Sequence, residues 1–198
     1  MSPQDAPQLV AKAFQALRSG RPRPVGLELP PDILAAKAEV TLMAPLAPEE
    51  GPPLDDDAIA RAADLLAKAE CPVIFVGGGA NEAIDEVRAL TERLAAPVVS
   101  YRRGKGVLDD RHPLSHCFVG GHRLWGKADV VLAVGTRLQL PISVWGVDDK
   151  LKIIKIDIDP AEMDRLRTPE IGLVGDSAAV LARLAAHLTK VPAMRPDR

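Results

Sequence analysis

Runs of consecutive valine, isoleucine and leucine recur in the second part of the chain. They lie at 72–79, 96–101, 128–135 and 151–159, and a weaker run lies at 171–175. Within each run the apolar residues are nearly continuous instead of alternating with polar ones, which is typical of strands that are covered on both faces. The pattern therefore predicts a mostly parallel sheet of five strands.

Segments with a helical spacing of apolar residues separate these predicted strands. One spans 80–94, another follows Asp176, and a third precedes the first strand, with the acidic residues 55–57 available to cap it. Strands that alternate with helices along the chain are typical of α/β domains. We therefore predict a domain of the α/β class with a doubly wound, mostly parallel, Rossmann-like sheet.

The first part of the chain has a different pattern. Residues 8–17 carry an amphipathic helical stripe, and the apolar run PVGLELP at 24–30 predicts a strand. Prolines, alanines and short polar residues then follow without a sustained period, which is typical of a linker. The expected division is a helix and a strand from one domain over 1–30, a linker over 31–53, a compact domain over 54–190 and a tail over 191–198.

Composition and charge narrow the class of protein. The chain has 198 residues and a formal net charge of -2, with acids and bases interspersed, so it lacks the basic footprint of a nucleic-acid-binding protein. Cys71 and Cys117 have neither a metal-binding nor a disulfide spacing, and no histidine has a metal-type or catalytic context. No secretory signal or membrane span is visible. We expect a cytoplasmic protein without nucleic-acid or membrane partners, without a metal site and without catalytic side chains of its own.

The run Gly77, Gly78, Gly79 lies between a predicted strand and a predicted helix. Glycines in that position let backbone N–H groups approach a phosphate at the N-terminus of a helix. The dinucleotide fingerprint is incomplete, however, because Glu82 stands where its third glycine belongs and no acid stands about twenty residues further on. Ordinary NAD binding is therefore disfavoured, and a tight turn that packs the helix on the strand is an equally good interpretation.

A second candidate site segment consists of Gly135, Thr136 and Arg137, at the end of the run over 128–135. In a doubly wound sheet the ligand crevice lies beyond the carboxyl ends of the strands, where the strand order reverses. An arginine there can bind a diphosphate through two N–H groups. The alternative is an ion pair between Arg137 and one of the acids at 148, 149, 157 or 159.

Acidic residues follow the last two predicted strands. Asp159, with Pro160 after it, suits the N-cap of a helix, so local geometry explains it. Asp157 has no capping role of this kind, and with Ile158 it is a candidate for binding the hydroxyl pair of a ribose. Asp176 is a candidate ligand-binding residue as well, with the alternative that it caps the helix that follows.

Six segments resemble, in order, consecutive blocks of one family: GRPRPVGLELPPDI, CPVIFVGGGA, RRGKGVLDDRHPL, ADVVLAVGTRL, KIIKIDIDPAEM and GDSAAVLARL. The family comprises thiamine-diphosphate-dependent enzymes of the acetolactate synthase, benzoylformate decarboxylase and sulfoacetaldehyde acetyltransferase kind. The resemblance implies that residues 8–30 correspond to the last helix and strand of a pyrimidine-binding domain. It implies that 54–190 correspond to the central domain, whose NAD/FAD-binding-type sheet is similar to that of deoxyhypusine synthase.

The resemblance also implies a parent enzyme that uses thiamine diphosphate and magnesium to form or cleave bonds beside the carbonyl carbon of 2-oxo acids, as a homodimer or homotetramer. The family binds magnesium diphosphate through a GDG motif and a later pair of asparagines. Here Gly175-Asp176 is followed by Ser177, and the single asparagine is Asn81. We therefore expect this chain to be a central-domain fragment that is inactive alone, with thiamine diphosphate and magnesium bound by other domains of the parent.

Some members of the family hold FAD or ADP across the strand ends of the central domain. Carried over by position, the resemblance implies nucleotide-binding roles for Gly77, Gly78, Gly79, Gly135, Thr136, Arg137, Asp157, Ile158 and Asp176. The sequence GTRLQL stands where acetolactate synthases carry GARFDD, and the helix expected before Ala128 is short, so the flavin end of such a site is expected to be incomplete. A freestanding nucleotide-binding module without thiamine chemistry and a purely structural spacer are the alternatives.

Overall fold

The chain forms two compact units, which meet in sequence between Gly51 and Pro52. Their structure comes from a computed structural model that describes residues 2–188. The predicted tail over 191–198 lies outside the described residues. Among the described residues, no helix combines the length and apolar character needed to cross a membrane.

The first unit contains two helices, α1 (Ala6–Arg18) and α2 (Pro31–Ala35), and its described residues contain no strand. The strand predicted at 24–30 is therefore wrong for this structure. An extended segment becomes a strand only when a second segment accepts and donates its backbone hydrogen bonds, and this unit supplies none. The alternate apolar side chains of the segment stay exposed, Val25 by 40% and Leu29 by 51%. The assignment of residues 1–30 to a pyrimidine-binding domain stays a prediction.

The second unit is built on a six-stranded sheet in which every strand is parallel to its neighbours. The strand order is β3-β2-β1-β4-β5-β6, which is the doubly wound, Rossmann-like order. The predicted fold class is therefore confirmed. The strands are β1 (Pro72–Val76), β2 (Val98–Ser100), β3 (Ser115–Cys117), β4 (Val130–Val134), β5 (Lys152–Asp157) and β6 (Ile171–Val174).

Helices cover both faces of this sheet. Three of them, α3 (Asp56–Ala67), α4 (Ile84–Leu94) and α6 (Ser177–Leu188), bury their apolar stripes in one core with one face of the strands. The other face is covered by α5 (Phe118–Trp125) and by a π-helical turn over Pro141–Trp145. Burial on both faces explains why the central strands are apolar at nearly every position.

The apolar pattern did not predict β3, and it did not locate α5, for which the resemblance implied only a short helix before Ala128. Strand β3 is an edge strand of three polar or half-buried residues that pairs with β2 alone, so no apolar run marks it. Helix α5 begins at Phe118, ahead of two glycines that normally disfavour a helix. Gly121 is nevertheless required, because a Cβ there would overlap the side chain of Val99 on β2. Close packing on the sheet overrides helix propensity at this position.

Aromatic side chains make up much of the second core. The ring of Phe75 meets Trp125 edge-on, with ring centroids 5.5 Å apart, and Trp145 stacks on Phe118 at 4.5 Å. The indole Nε1–H of Trp125 donates a hydrogen bond of 2.7 Å to the carbonyl oxygen of Gly146. The polar end of that buried indole is thereby satisfied while its ring packs on the sheet.

Asp129 joins the beginnings of two neighbouring strands. Its carboxylate, just before β4, accepts hydrogen bonds from the backbone N–H groups of Glu70 at 2.6 Å and Cys71 at 2.9 Å, just before β1. We expect Asp129→Ala to lower the free energy of unfolding by about 1–3 kcal/mol, because two backbone donors lose a charged acceptor. Chemical denaturation measures the loss, and Asp64→Ala at an exposed position in the middle of α3 serves as the control. A loss of less than about 0.5 kcal/mol, which is the scatter of ordinary surface substitutions, would contradict this role.

Candidate functional site

The strand order reverses between β1 and β4, and their carboxyl ends mark the position of a ligand crevice in this fold. The glycine run follows β1, and Gly135, Thr136 and Arg137 follow β4. The structure therefore brings these two predicted segments together at one edge of the sheet. Asp157 ends the adjacent strand β5, and Asp176 follows β6, the strand beyond it.

The glycines of the two segments pack directly against each other. The backbone N–H of Gly77 donates to the carbonyl oxygen of Val134 at 3.0 Å, and that of Gly79 donates to the carbonyl oxygen of Gly135 at 3.2 Å. A Cβ on Gly79 would lie 2.7 Å from the Cα of Gly135, and one on Gly77 would overlap the Gly135 carbonyl oxygen. These contacts support the tight-turn interpretation of the glycines, and two of their three amides are already engaged.

The helix predicted to begin directly after the glycines is wrong at its N-terminus. A short 3-10 turn spans Gly78–Ala80, and α4 begins only at Ile84, with Asp85 and Glu86 in its first turn. The two carboxylates in the first turn of α4 repel an anion, and they already neutralise the positive end of the helix dipole. The N-terminus of α4 is thus separated from the glycines and carries its own carboxylates. Any anion must be held by other groups at the carboxyl ends of β1 and β4.

The loop after β2 supplies one of these groups. Gly104 packs its backbone on Val76 and Gly77, and a Cβ on Gly78 would lie 3.1 Å from the Cβ of Arg103. The stem of Arg103 therefore lies against Gly78, while Gly78 and Gly79 stay exposed. From the sequence, the basic residues of this loop could either reach a phosphate or form a solvated connection, and the structure brings Arg103 and Gly104 to the end of β1.

Ser100, at the end of β2, was not recognised in the sequence as a site residue. It stands beside Val76 of β1 in the parallel register and is 3% exposed. Its Oγ has no hydrogen-bond partner among residues 2–188. Buried hydroxyl groups are normally hydrogen-bonded, so this unpartnered one beside the end of β1 is an observation in favour of an ordered water there.

Arg137 makes an ion pair that the sequence did not predict. Its Nε and Nη2 donate to the two carboxylate oxygens of Glu162 at 3.0 and 2.7 Å. The alternative pairing with an acid at 148, 149, 157 or 159 is therefore wrong, since the partner is Glu162. Only the fold brings Glu162, in a 3-10 turn after β5, beside the end of β4, and no local spacing connects the two residues.

Two further cationic side chains donate hydrogen bonds to Glu162, which is 1% exposed. Arg165 Nη1 donates to the same carboxylate at 2.9 Å, and the Lys155 ammonium group donates to the backbone carbonyl oxygen of Glu162. Burial lowers the pKa of Lys155, while the carboxylates of Asp157 and Glu162 oppose this shift. Lys155 lies within an apolar run of the sequence and was not predicted as a site residue. The structure shows that it is buried on β5.

The acidic residues at the strand ends have local hydrogen bonds. Asp159 accepts from the N–H of Ala161 at 3.0 Å, so its predicted capping role is confirmed. Asp157 caps no helix, as expected, but its Oδ1 accepts a local turn hydrogen bond from the N–H of Asp159 at 3.1 Å. Asp176 caps α6 by accepting from Ala179 N–H at 3.0 Å, which confirms the alternative given for it. Ile158 is 39% exposed, and the ligand-binding roles of these residues stay predictions.

Cys117 ends β3 at the same edge of the sheet, and its thiol is exposed. The backbone N–H of Gly120, and secondarily that of Val119, lowers the pKa of this thiol below its ordinary value. Because the thiolate is the reactive form, we expect Cys117 to be alkylated faster than free cysteine at neutral pH.

The alkylation is measured with iodoacetamide over a pH series, on a Cys71→Ser variant that leaves one thiol. The midpoint of the rate profile is expected below that of free cysteine measured alongside. A midpoint at or above that of free cysteine would show that the two backbone N–H groups do not stabilise the thiolate.

No group of three or more His, Cys, Asp or Glu residues within 2–188 is arranged to hold a metal ion.

Comparison with known proteins gives one consistent family. A family model described as thiamine pyrophosphate enzyme, central domain, matches residues 59–184. The chain is 36% identical over 202 residues to a probable 2-ketoarginine decarboxylase of Pseudomonas aeruginosa, with 95% of this chain and 35% of that relative aligned. It is 35% identical over 202 residues to an acetolactate synthase of Arthrospira platensis, with 90% and 34% aligned.

An oxalyl-CoA decarboxylase of Escherichia coli is 34% identical over 197 residues, with 94% of this chain and 34% of the relative aligned. The chain thus spans about a third of the length of these relatives. A solved structure from Mycobacterium smegmatis, described as a putative thiamin diphosphate-dependent enzyme, superposes with a TM-score of 0.76 at 19% identity. The match covers 100% of this chain and 40% of that structure's chain, and this likeness supports the fold.

Proposed function

The chain belongs to the family of thiamine pyrophosphate enzyme central domains, as the resemblance in its sequence predicted, and from this premise we propose that it works within a larger enzyme acting on 2-oxo acids. The proposal is supported by relatives named as acetolactate synthase and 2-ketoarginine decarboxylase. Such an enzyme uses thiamine diphosphate with magnesium, and the bound cofactor supplies an electron sink for the carbanion beside a carbonyl carbon. We further propose that the parent is a homodimer or homotetramer.

Within that enzyme we assign this chain a scaffolding role and place the thiamine diphosphate on other domains. The family's diphosphate motif needs a glycine after Asp176, and Ser177 stands there instead. The carboxylate of Asp176 is engaged in capping α6. Neither residue therefore fits a magnesium diphosphate group, and the pair of asparagines that completes the family's motif has no counterpart in this chain.

We also propose that the crevice between β1 and β4 binds the diphosphate of ADP or of FAD. Three features fit this group: the reversal of strand order, the glycine backbones that keep the edge free of Cβ atoms, and the guanidinium of Arg137. Arg137, whose side chain is 38% exposed where the strand order reverses, is the single observation that carries the proposal, because a guanidinium there can bind a diphosphate through two N–H groups. The proposed contacts are Gly77, Gly78, Gly79, Gly135, Thr136, Arg137, Asp157, Ile158 and Asp176.

Calorimetric titration of the full chain tests both assignments. We expect saturable binding of ADP and of FAD, and no binding of thiamine diphosphate with magnesium. ADP is expected to bind at least as well as FAD, because Leu138, directly after Arg137, turns into the core and is 3% exposed instead of facing a flavin. A flat response to both nucleotides would overturn the crevice proposal and favour a purely structural role. Tight binding of thiamine diphosphate would overturn the scaffolding role.

A further inference from the structure

Glu162 is an almost fully enclosed acid at the sheet edge, and the proposed function gives it no task. Its carboxylate accepts two hydrogen bonds from Arg137, at 3.0 and 2.7 Å, and a third from Arg165 at 2.9 Å. The side chain of Glu162 is 1% exposed, whereas that of Arg137 is 38% exposed. The Nε and Nη2 side of Arg137 is therefore held by a buried acid, while more than a third of the arginine side chain stays exposed.

The position of Glu162 itself is fixed from two directions. Its backbone N–H donates to the carbonyl oxygen of Asp159 at 3.0 Å, within the 3-10 turn Pro160–Glu162. Its backbone carbonyl oxygen accepts from the ammonium group of Lys155 on β5. The anchored backbone, together with the bond from Arg165 to the carboxylate, limits the positions that the Glu162 side chain can take. The pair therefore defines one orientation of the guanidinium.

We propose that Glu162 is a positioning residue that pre-orients Arg137 to receive the diphosphate of the nucleotide at the crevice. The inference rests on the proposed function. A guanidinium carries five N–H donors, and Glu162 engages two of them, on the Nε and Nη2 side. The other three are not used by Glu162. Because the side chain is already ordered, less rotamer entropy is lost when an anion binds to those three donors.

The charge of the cluster suits the same ligand. Two arginine side chains share the one carboxylate of Glu162, so two guanidinium groups lie close together at this edge of the sheet. The carboxylate of Asp157, close to Lys155, offsets part of the positive charge. Neighbouring guanidinium groups suit the binding of a phosphate group. The stem of Arg103, which lies over Gly78, adds a further guanidinium near the same edge.

A purely electrostatic role and a positioning role predict opposite signs for one substitution. Glu162→Gln removes a negative charge beside the anion, so electrostatics alone would make an anion bind more tightly. Loss of orientation would make it bind more weakly, because the amide of the substituted side chain offers one oxygen to Arg137 where the carboxylate offers two. Arg137→Lys keeps the charge but removes the two-pronged geometry, and it is likewise expected to weaken binding.

The experiment measures dissociation constants of ADP and of inorganic diphosphate for the full chain by calorimetry, together with the melting temperature of each variant. We expect Glu162→Gln and Arg137→Lys each to weaken binding of both ligands by about tenfold or more, as the loss of an oriented charged hydrogen bond implies. Arg88→Gln, which removes a charge from an exposed ion pair on α4, is the control and is expected to change binding by less than about twofold.

The outcomes separate this inference from the proposed function. If the wild-type chain binds neither ligand, the crevice proposal fails, and the positioning role fails with it. If the wild-type chain binds and a folded Glu162→Gln variant binds equally well or more tightly, the crevice stands and the positioning role is overturned. If Glu162→Gln does not fold, Arg137→Lys decides, because unchanged affinity in that variant overturns the positioning role as well.

Discussion

Gly135→Ala is expected to lower the free energy of unfolding of the second unit by about 2–5 kcal/mol. Gly135 has a φ of +55°, a left-handed conformation that costs any residue with a Cβ. In addition, a Cβ there would overlap the Cα of Gly79 and lie 2.8 Å from the nitrogen of Ala80. Backbone atoms cannot turn aside as a side chain can, so strain and overlap add together at this position.

Thermal unfolding followed by circular dichroism measures this loss, at roughly 2–4 °C for each kcal/mol in a unit of this size. Gly106→Ala is the matched control, since Gly106 has a φ of +92° but nothing lies within 4 Å of its would-be Cβ. The control therefore reports conformational strain without overlap and is expected to lose less. Equal losses in the two variants would show that the contact between Gly135 and Gly79 contributes nothing.

Phe75→Ala is expected to destabilise the second unit by about 3–5 kcal/mol. Phe75 is 2% exposed at the centre of the sheet, and its ring contacts both tryptophans of the chain, Trp125 at 5.5 Å and Trp145 at 6.3 Å between centroids. The face it occupies is covered by one short helix and a π-helical turn, so few neighbours can move in to fill the cavity. Large-to-small substitutions are most costly where the surroundings cannot collapse.

Denaturant unfolding followed by tryptophan emission suits this variant, because both indoles lie beside the substituted ring and report the same unit. The near-ultraviolet circular dichroism of the tryptophans is expected to fall at the same time. Val119→Ala, also in the second unit but at a side chain that is 81% exposed, is the control and is expected to cost less than about 0.5 kcal/mol. A loss of less than about 0.5 kcal/mol for Phe75→Ala would mean that Phe75, Trp125 and Trp145 do not form a packed core.

The apolar pattern predicted the central strands because burial on both faces leaves few polar positions there. It failed at β3, where an edge strand with polar residues needs only one neighbour, and at α5, where Gly120 and Gly121 obscure the helix. It also predicted a strand at 24–30, since an apolar run carries no information about whether a pairing partner exists. Strand pairing is a property of the whole fold, and short local patterns do not contain it.

The candidate site was predictable to a similar degree. The glycines after β1 and β4 were found because close backbone contact demands residues without a Cβ, which a sequence displays directly. The partner of Arg137 was not predicted, because Glu162 follows β5 along the chain. It comes close to Arg137 only because β5 pairs with β4 in the sheet. Lys155 also lies in an apolar run, and the sequence does not show that this charged residue is buried. Ser100 differs from an ordinary strand serine only in its missing partner, which no sequence shows.

Amide chemical shifts of the isotopically labelled full chain, recorded by NMR during titration with ADP, test the location of the crevice most directly. Saturable shifts are expected at 77–79, at 135–137 and around Ser100, with smaller changes at the amino ends of the strands. Shifts absent at saturating ADP, or concentrated at the amino ends of β1 and β4 near Asp129, would contradict this location of the crevice.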